Sequence, residues 1–416
     1  MNTLENWLRH IERQHPRAIA LGLDRVREVW NRMDMRLQCA VITVGGTNGK
    51  GSTCAMLESM LRAGGSRTGL YTSPHLVRYN ERVRIAGAEA DDKLLAESFS
   101  VVEKARGDVP LTYFEFGTLA AFWVFAEKKV EAAILEVGLG GRLDAVNILD
   151  ADCAVLTSVG IDHVDFLGPD RESIGREKAG IFRAGRPAVI AEPHPPQSVL
   201  QAPGQKRFFG KDFGFTVQNT QWSYWGSKGK RAGLAHPALR GAIQLRNASA
   251  ALCALDALEL PVAMQEVRRG LAEVALPGRF QTLPGRPQVI LDVAHNVEAA
   301  KVLADNLGAS GFAPETIAVC GMLRDKDIGG VLRALEPRIT RWHFASLPGP
   351  RGASSGDLKK ELRDSRAVVE KFESPAQAFV AAQERAEEGD KIVVFGSFLT
   401  VGEVMAWLKN NKTSRH

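Results

Sequence analysis

The hydrophobic positions of the chain follow two kinds of pattern. Leu4, Trp7, Leu8 and Ile11 stand at helical spacing among charged residues, which predicts an amphipathic helix ending near Pro16. Short unbroken apolar runs come next: CAVITV (39–44), AAILEV (132–137), CAVLTSV (153–159) and PAVIAE (187–192). The first leads through a glycine loop into STCAMLESMLRAGG, where Met56, Leu57, Met60 and Leu61 share a helix face. Such runs alternating with helical segments predict a mostly parallel sheet that collects ligands beyond the carboxyl ends of its strands.

Over 201–243 the pattern changes. Aromatic and polar residues alternate in FFGKDFGFTVQNTQWSYWG, broken by glycines and an Asn-Thr turn, and a small antiparallel piece is expected there. The apolar helix NASAALCALDALEL stops at Pro261, and a proline-rich stretch, LPGRFQTLPGRP, follows. Strand and helix alternation then resumes with QVILDV, TIAVCGM, RWHFASL and KIVVFGSF. The fold class is α/β. An N-terminal P-loop-type domain with a mostly parallel sheet and a small antiparallel piece is expected over 1–280, and a C-terminal Rossmann-like α/β domain over 281–416.

Composition narrows the function classes. A length of 416 residues suits two cores better than one. The net charge of +5 comes without a run of five like charges or an aromatic-basic repeat, so nucleic acid is not an expected partner. The five cysteines are scattered, with no C-x-x-C pair, which argues against a disulfide framework or a zinc site and for a reducing cytoplasm. No apolar run approaches the roughly 18 residues of a membrane span, and the N-terminus lacks a signal-peptide pattern.

The stretch VITVGGTNGKGST (41–53) carries the clearest chemistry. Glycines 45, 46, 49 and 51 let successive backbone N–H groups face a phosphate, the following helix adds its positive end, and Lys50 adds a full charge. A plain strand-to-helix turn has little use for four glycines around a lysine. The spacing nevertheless departs from the usual P-loop, with Val44 at the first glycine position and Gly51 where a Ser or Thr would hold magnesium. Other strand ends must then supply the metal ligands: Ser73 lies just after the apolar GLY (69–71), Glu136 ends the strand AAILEV, and His163 lies just after CAVLTSV. Singly, each has an ordinary structural reading as a turn residue, a solvated strand end or a structural histidine. Together they mark one edge of the sheet.

GGTNGKGST, YTSPHLVRYNERVRI, EVGLGGRLDAVN, GIDHVDFLG, REKAGIFR, LPGRF and LDVAHN, in this order, resemble the bacterial folylpolyglutamate synthases, often bifunctional with dihydrofolate synthase, of the Mur ligase superfamily. The resemblance spans nearly the whole chain. It implies an ATP-dependent ligase that joins L-glutamate to dihydropteroate and to tetrahydrofolate through an acyl phosphate, as a cytoplasmic monomer. ATP and Mg2+ are the implied cofactors, with a monovalent cation as an additional candidate.

By the same resemblance, Thr47, Asn48, Gly49, Lys50, Gly51, Ser52, Asn247, Arg279, Asp292 and His295 are expected to bind ATP, with Asn296 as a neighbour. Thr112, Tyr113, Phe114 and Glu115, with Leu143, Asp144 and Ala145, are expected on the pteridine side, and Ser73, Glu136 and His163 as metal ligands. Lys50, His163 and Lys178 form the implied catalytic set, Lys178 as a carbamate; the plain alternative is a surface Lys178 paired with Glu177. In the segment 18–20, Ala20 stands where related enzymes often carry an acidic residue, which leaves folylpolyglutamate synthase alone as a narrower alternative. A peptidoglycan-precursor ligase would share the ATP loop but not SPHLVRYNERV. A nucleotide-binding switch would need neither His163 nor Lys178.

Overall fold

The computed structural model describes residues 3–16, 19–218, 220–362 and 367–412; Ala18 and Asn219, singled out above, lie outside the described residues. The chain forms two compact units. The first takes the chain up to His75, Tyr79–Ala238 and Gln244–Val274; the second takes Leu76–Arg78, Leu239–Ile243 and the chain from Ala275 on.

The first unit is built on eight strands: β1 (Ala40–Gly45), β2 (Thr68–Tyr71), β3 (Val83–Ile85), β4 (Ala88–Glu89), β5 (Ala132–Glu136), β6 (Cys153–Leu156), β7 (Pro187–Ile190) and β8 (Gln205–Phe208). They lie in the order β4-β3-β2-β5-β1-β6-β7-β8, parallel from β2 to β8. The strands expected from the apolar runs are the buried centre of this sheet. With helices on both faces, a parallel strand has no polar side to show, hence the unbroken runs. The helix Lys50–Ala63 fits the same logic: Met56, Leu57, Met60 and Leu61 are fully buried, each contributing about 2 kcal/mol relative to exposure.

Two expectations need correction. The first helix ends at Ile11 rather than near Pro16, with Thr3 accepting from Asn6 N–H as its N-cap. The antiparallel piece is also shorter than 201–243. It comprises only β9 (Gly214–Gln218), β10 (Gln221–Gly226) and β11 (Gly229–Ala235), whereas β8 joins the large sheet in parallel with β7. The aromatic residues of β8 and β9 read alike along the sequence, but β8 follows the helix Gln197–Gln201 and completes a parallel crossover.

The second unit holds β12 (Gln281–Leu283), β13 (Gln288–Leu291), β14 (Thr316–Cys320), β15 (Arg341–Ala345), β16 (Val368–Phe372) and β17 (Lys391–Phe395), in the order β12-β13-β17-β14-β15-β16. Only β12 runs antiparallel. Alternate residues of β17 fill opposite cores. Val393 and Phe395 pack with Trp342 and Phe344, and Ile392 and Val394 with Phe379.

Candidate active site

Register places the glycine loop. Val44 of β1 pairs with Glu136 of β5, and Tyr71 of β2 with Leu135, so the carboxyl ends of β2, β5 and β1 lie side by side. Ser73 N–H donates to Glu136 Oε2 at 3.1 Å, which brings two of the three expected metal ligands into contact. His163 follows β6, the other neighbour of β1. It sits in left-handed backbone (φ +53°) as the N-cap of the helix Val164–Leu167, a conformation uncommon outside glycine and one that clusters at functional sites. Among the described residues no group of three or more His, Cys, Asp or Glu side chains could hold a metal; the expected trio draws its third donor from a serine hydroxyl.

The loop is clamped to the end of β6 by residues that sequence reasoning missed. Thr47 N–H donates to Ser158 O at 2.9 Å, and Thr47 Oγ1 accepts from Gly160 N–H at 2.9 Å. Asn48 N–H donates to Ser158 Oγ at 2.9 Å, while Thr157 Oγ1 donates to Asn48 O at 2.7 Å. Gly49 has a φ of +89°, and a Cβ there would stand 2.7 Å from Asn247 Oδ1. Backbone and neighbour both exclude a side chain, and Asn247 is thereby fixed against the loop. Lys50 opens the helix, with its Nζ donating to Gly46 O at 2.9 Å and Thr47 O at 3.2 Å.

A cleft of about 280 Å³ gathers the residues expected on the pteridine side. Thr112–Glu115 form one wall and Leu143–Ala145 another, and Ser73 and His163 line the same cleft. Asp144 accepts from Leu139 N–H at 2.8 Å and Val146 N–H at 3.1 Å, and burial pushes its carboxyl up to about 6. The Phe114 ring lies so near that a Cβ on Gly138 would meet it at 2.7 Å. Glu115 has less freedom than expected. It closes a capping box with Thr112, and its Oε1 takes Arg25 Nη2 at 2.7 Å. Arg25 also donates to Ala20 O at 2.8 Å and so fixes the strip Ile19–Ala20–Leu21, which completes the cleft. Position 20 therefore acts here through its carbonyl.

Lys178 is 4% exposed, so the surface reading fails; Glu177 pairs with Arg142 at 2.9 Å instead. Burial, reinforced by the charge of Lys50, pulls the Lys178 amine down to about 7, with Asp162 and Asp144 opposing. Lys50, Lys178, Asp144 and Asp162 thus form one electrostatic group. In the second unit, Arg279 lies 5.5 Å from the centroid of the Phe398 ring and His295 packs against the same ring. Asp292 accepts from Phe280 and Ala294 N–H groups, each at 2.8 Å; burial raises its pKa and Arg279 opposes that. Phe398, which ties this group together, carried no signal beyond ending an apolar run.

A glycine loop on a parallel sheet, followed by a second α/β unit, matches two family profiles: "Mur ligase middle domain" over 44–255 and "Mur ligase, glutamate ligase domain" over 278–398. The class is that of the Mur-type ligases. The chain is 46% identical over 407 residues to the dihydrofolate synthase/folylpolyglutamate synthase of Escherichia coli strain K12, covering 97% of this chain and 94% of that one. Its structure is similar to that of E. coli FolC in complex with DHPP and ADP, with a TM-score of 0.95, 44% identity and 99% of each chain covered. It is also similar to a bifunctional folylpolyglutamate synthase/dihydrofolate synthase with Mn, AMPPNP and L-glutamate bound, with a TM-score of 0.91, 45% identity and 98% of each chain covered. The chain belongs to the dihydrofolate synthase/folylpolyglutamate synthase family.

Proposed function

We propose that this chain joins the amino group of L-glutamate to the carboxyl group of 7,8-dihydropteroate, and to that of tetrahydrofolate and its polyglutamates, at the expense of ATP. The observation that carries the reading is a single cleft lined by Asp144 and Phe114 and also by Ser73 and His163, beside the strand ends that bear the phosphate loop. Phe114 offers a ring face to a pteridine, and the Asp144 carboxylate accepts from its N–H groups.

A carboxylate oxygen of the acceptor attacks the γ-phosphorus, the bond to the β,γ-bridging oxygen breaks, and ADP leaves. The glutamate amine then attacks the acyl carbonyl, loses its proton, and phosphate departs. Two anions meet in the first step, so positioning and charge neutralisation dominate over any protein nucleophile. Loop N–H groups, the helix N-terminus and Lys50 take the phosphate charge. Asn247, Arg279, Asp292 and His295 are assigned to the nucleotide.

Ser73 carries a hydroxyl and touches the buried Glu136 carboxylate through its backbone N–H, and with His163 the two fit a small hard divalent cation that keeps several waters. Mg2+ held there would supply further neutralisation of phosphate charge. Lys178 is assigned to carbamylation: a buried amine drawn down to about 7 has a substantial neutral fraction near neutral pH, and that form is nucleophilic toward CO2. All five cysteines are free, as suits the reducing cytoplasm to which we assign the chain.

Phosphate release from ATP, measured with magnesium and L-glutamate and with either dihydropteroate or tetrahydrofolate, tests the reading. Release with both acceptors is expected. Release with tetrahydrofolate alone would reduce the activity to folylpolyglutamate synthase, and release with neither would refute the assignment.

A further inference from the structure

The sequence segment YNERV contains an arginine to which none of the roles above is assigned. Arg82 lines the acceptor cleft and is the only arginine or lysine to do so among the described residues. Its guanidinium stands 5.5 Å from the Tyr79 ring centroid and 5.4 Å from that of Tyr113. Its Nε donates to His75 Nδ1 at 2.8 Å. Two ring faces, His75 and the side chain of Tyr71 hold the guanidinium at the cleft wall, and no carboxylate among the described residues forms an ion pair with it. Glu115, which lines the same cleft, is already taken by Arg25.

The position of this cation is set by the sheet. Thr72 N–H donates to Arg82 O at 2.9 Å where β3 returns antiparallel to β2, which puts Arg82 beside Ser73 and hence beside the Ser73–Glu136 contact. Asp144 and Phe114 belong to other walls of the cleft. A molecule that lays a flat heteroaromatic end on Phe114 and Asp144 and also carries a carboxylate holds that carboxylate in the same cleft as Arg82. We infer that Arg82 binds the carboxylate of the pteroate acceptor, taking one oxygen in a charge-assisted hydrogen bond and leaving the other to attack the γ-phosphate. The inference rests on the acceptor reading above and adds to it the residue that selects an acid.

The test is equilibrium binding of 7,8-dihydropteroate and of its carboxamide, which keeps the shape and loses the charge, to the wild-type chain, Arg82→Gln and Arg82→Lys. Wild type is expected to prefer the acid by about 10–100-fold, the range of a charge-assisted hydrogen bond. Arg82→Gln should bind both compounds equally, at the carboxamide's wild-type affinity, and Arg82→Lys should recover part of the preference. In turnover, the KM for dihydropteroate should rise at least about tenfold in Arg82→Gln, with the KM for ATP unchanged. Retained preference for the acid in Arg82→Gln would overturn the inference. So would equal weakening of both compounds, which would mean that Arg82 only packs Tyr79 and Tyr113. A wild-type chain that binds neither compound would overturn the reading of the cleft, and this inference with it.

Discussion

Lys50→Ala is expected to lower kcat for glutamate ligation by about 10³-fold, the loss typical when one preorganised donor to a developing charge is removed. The loop itself should survive. Without the Lys50 Nζ bonds to Gly46 O and Thr47 O, its shape is still held by the Thr47 and Asn48 bonds to Ser158 and Gly160 and by the close approach of Gly49 to Asn247. Alanine also suits the first turn of the helix Lys50–Ala63, so thermal stability should change by less than about 1 kcal/mol. A second consequence follows from the electrostatic group. The charge of Lys50 helps depress the Lys178 amine, so its removal lets that pKa rise. Steady-state kinetics beside a melting curve separates these effects: a collapse of both would mean that Lys50 is structural, and unchanged kcat would remove it from phosphate binding.

The second large effect concerns Lys178. Lys178→Ala is expected to reduce kcat by about 10²–10³-fold, on the scale of a lost electrostatic stabiliser, with partial rescue by a small added carboxylate. Lys178→Met keeps the buried aliphatic stem and should fall as far, which distinguishes lost charge from lost packing. The pH dependence has a definite sign. Only the neutral amine adds CO2, and burial lowers the amine to about 7, so the reactive fraction grows as pH rises through 7. Wild-type protein stripped of CO2 should therefore regain activity about tenfold faster at pH 8 than at pH 6, at equal dissolved CO2. Full activity of Lys178→Ala, or recovery that is faster at pH 6, would refute carbamylation.

The parallel core was legible along the chain because buried parallel strands leave unbroken apolar runs, as β1, β5, β6 and β7 do. Ser73, Glu136 and His163 could be placed on one edge because each stands at or shortly after the carboxyl end of an apolar segment: GLY (69–71), AAILEV and CAVLTSV. Exposed edge strands were harder to see. β16 shows solvent at most of its positions, and β3 and β4 form a short hairpin with little apolar signal. The contacts that fix the site were hidden for another reason. Thr157 reaches Asn48 across 109 positions and Arg25 reaches Glu115 across 90, and no periodic pattern records such pairs. Lys178 is the sharpest case. In REKAG its neighbours alone also allow a surface charge beside Glu177, and only the family resemblance set it among the catalytic residues; the helix Arg171–Ala179 turns it inward and leaves Glu177 to Arg142.

The central claim is that the acceptor carboxylate itself is phosphorylated. Dihydropteroate labelled with 18O in its carboxyl group, turned over with ATP and L-glutamate, tests this by mass spectrometry of the released phosphate. The mechanism predicts that each phosphate carries one oxygen from the acceptor, since that oxygen bridges carbon and phosphorus before the amine displaces it. Unlabelled phosphate from a productive ligation would contradict it.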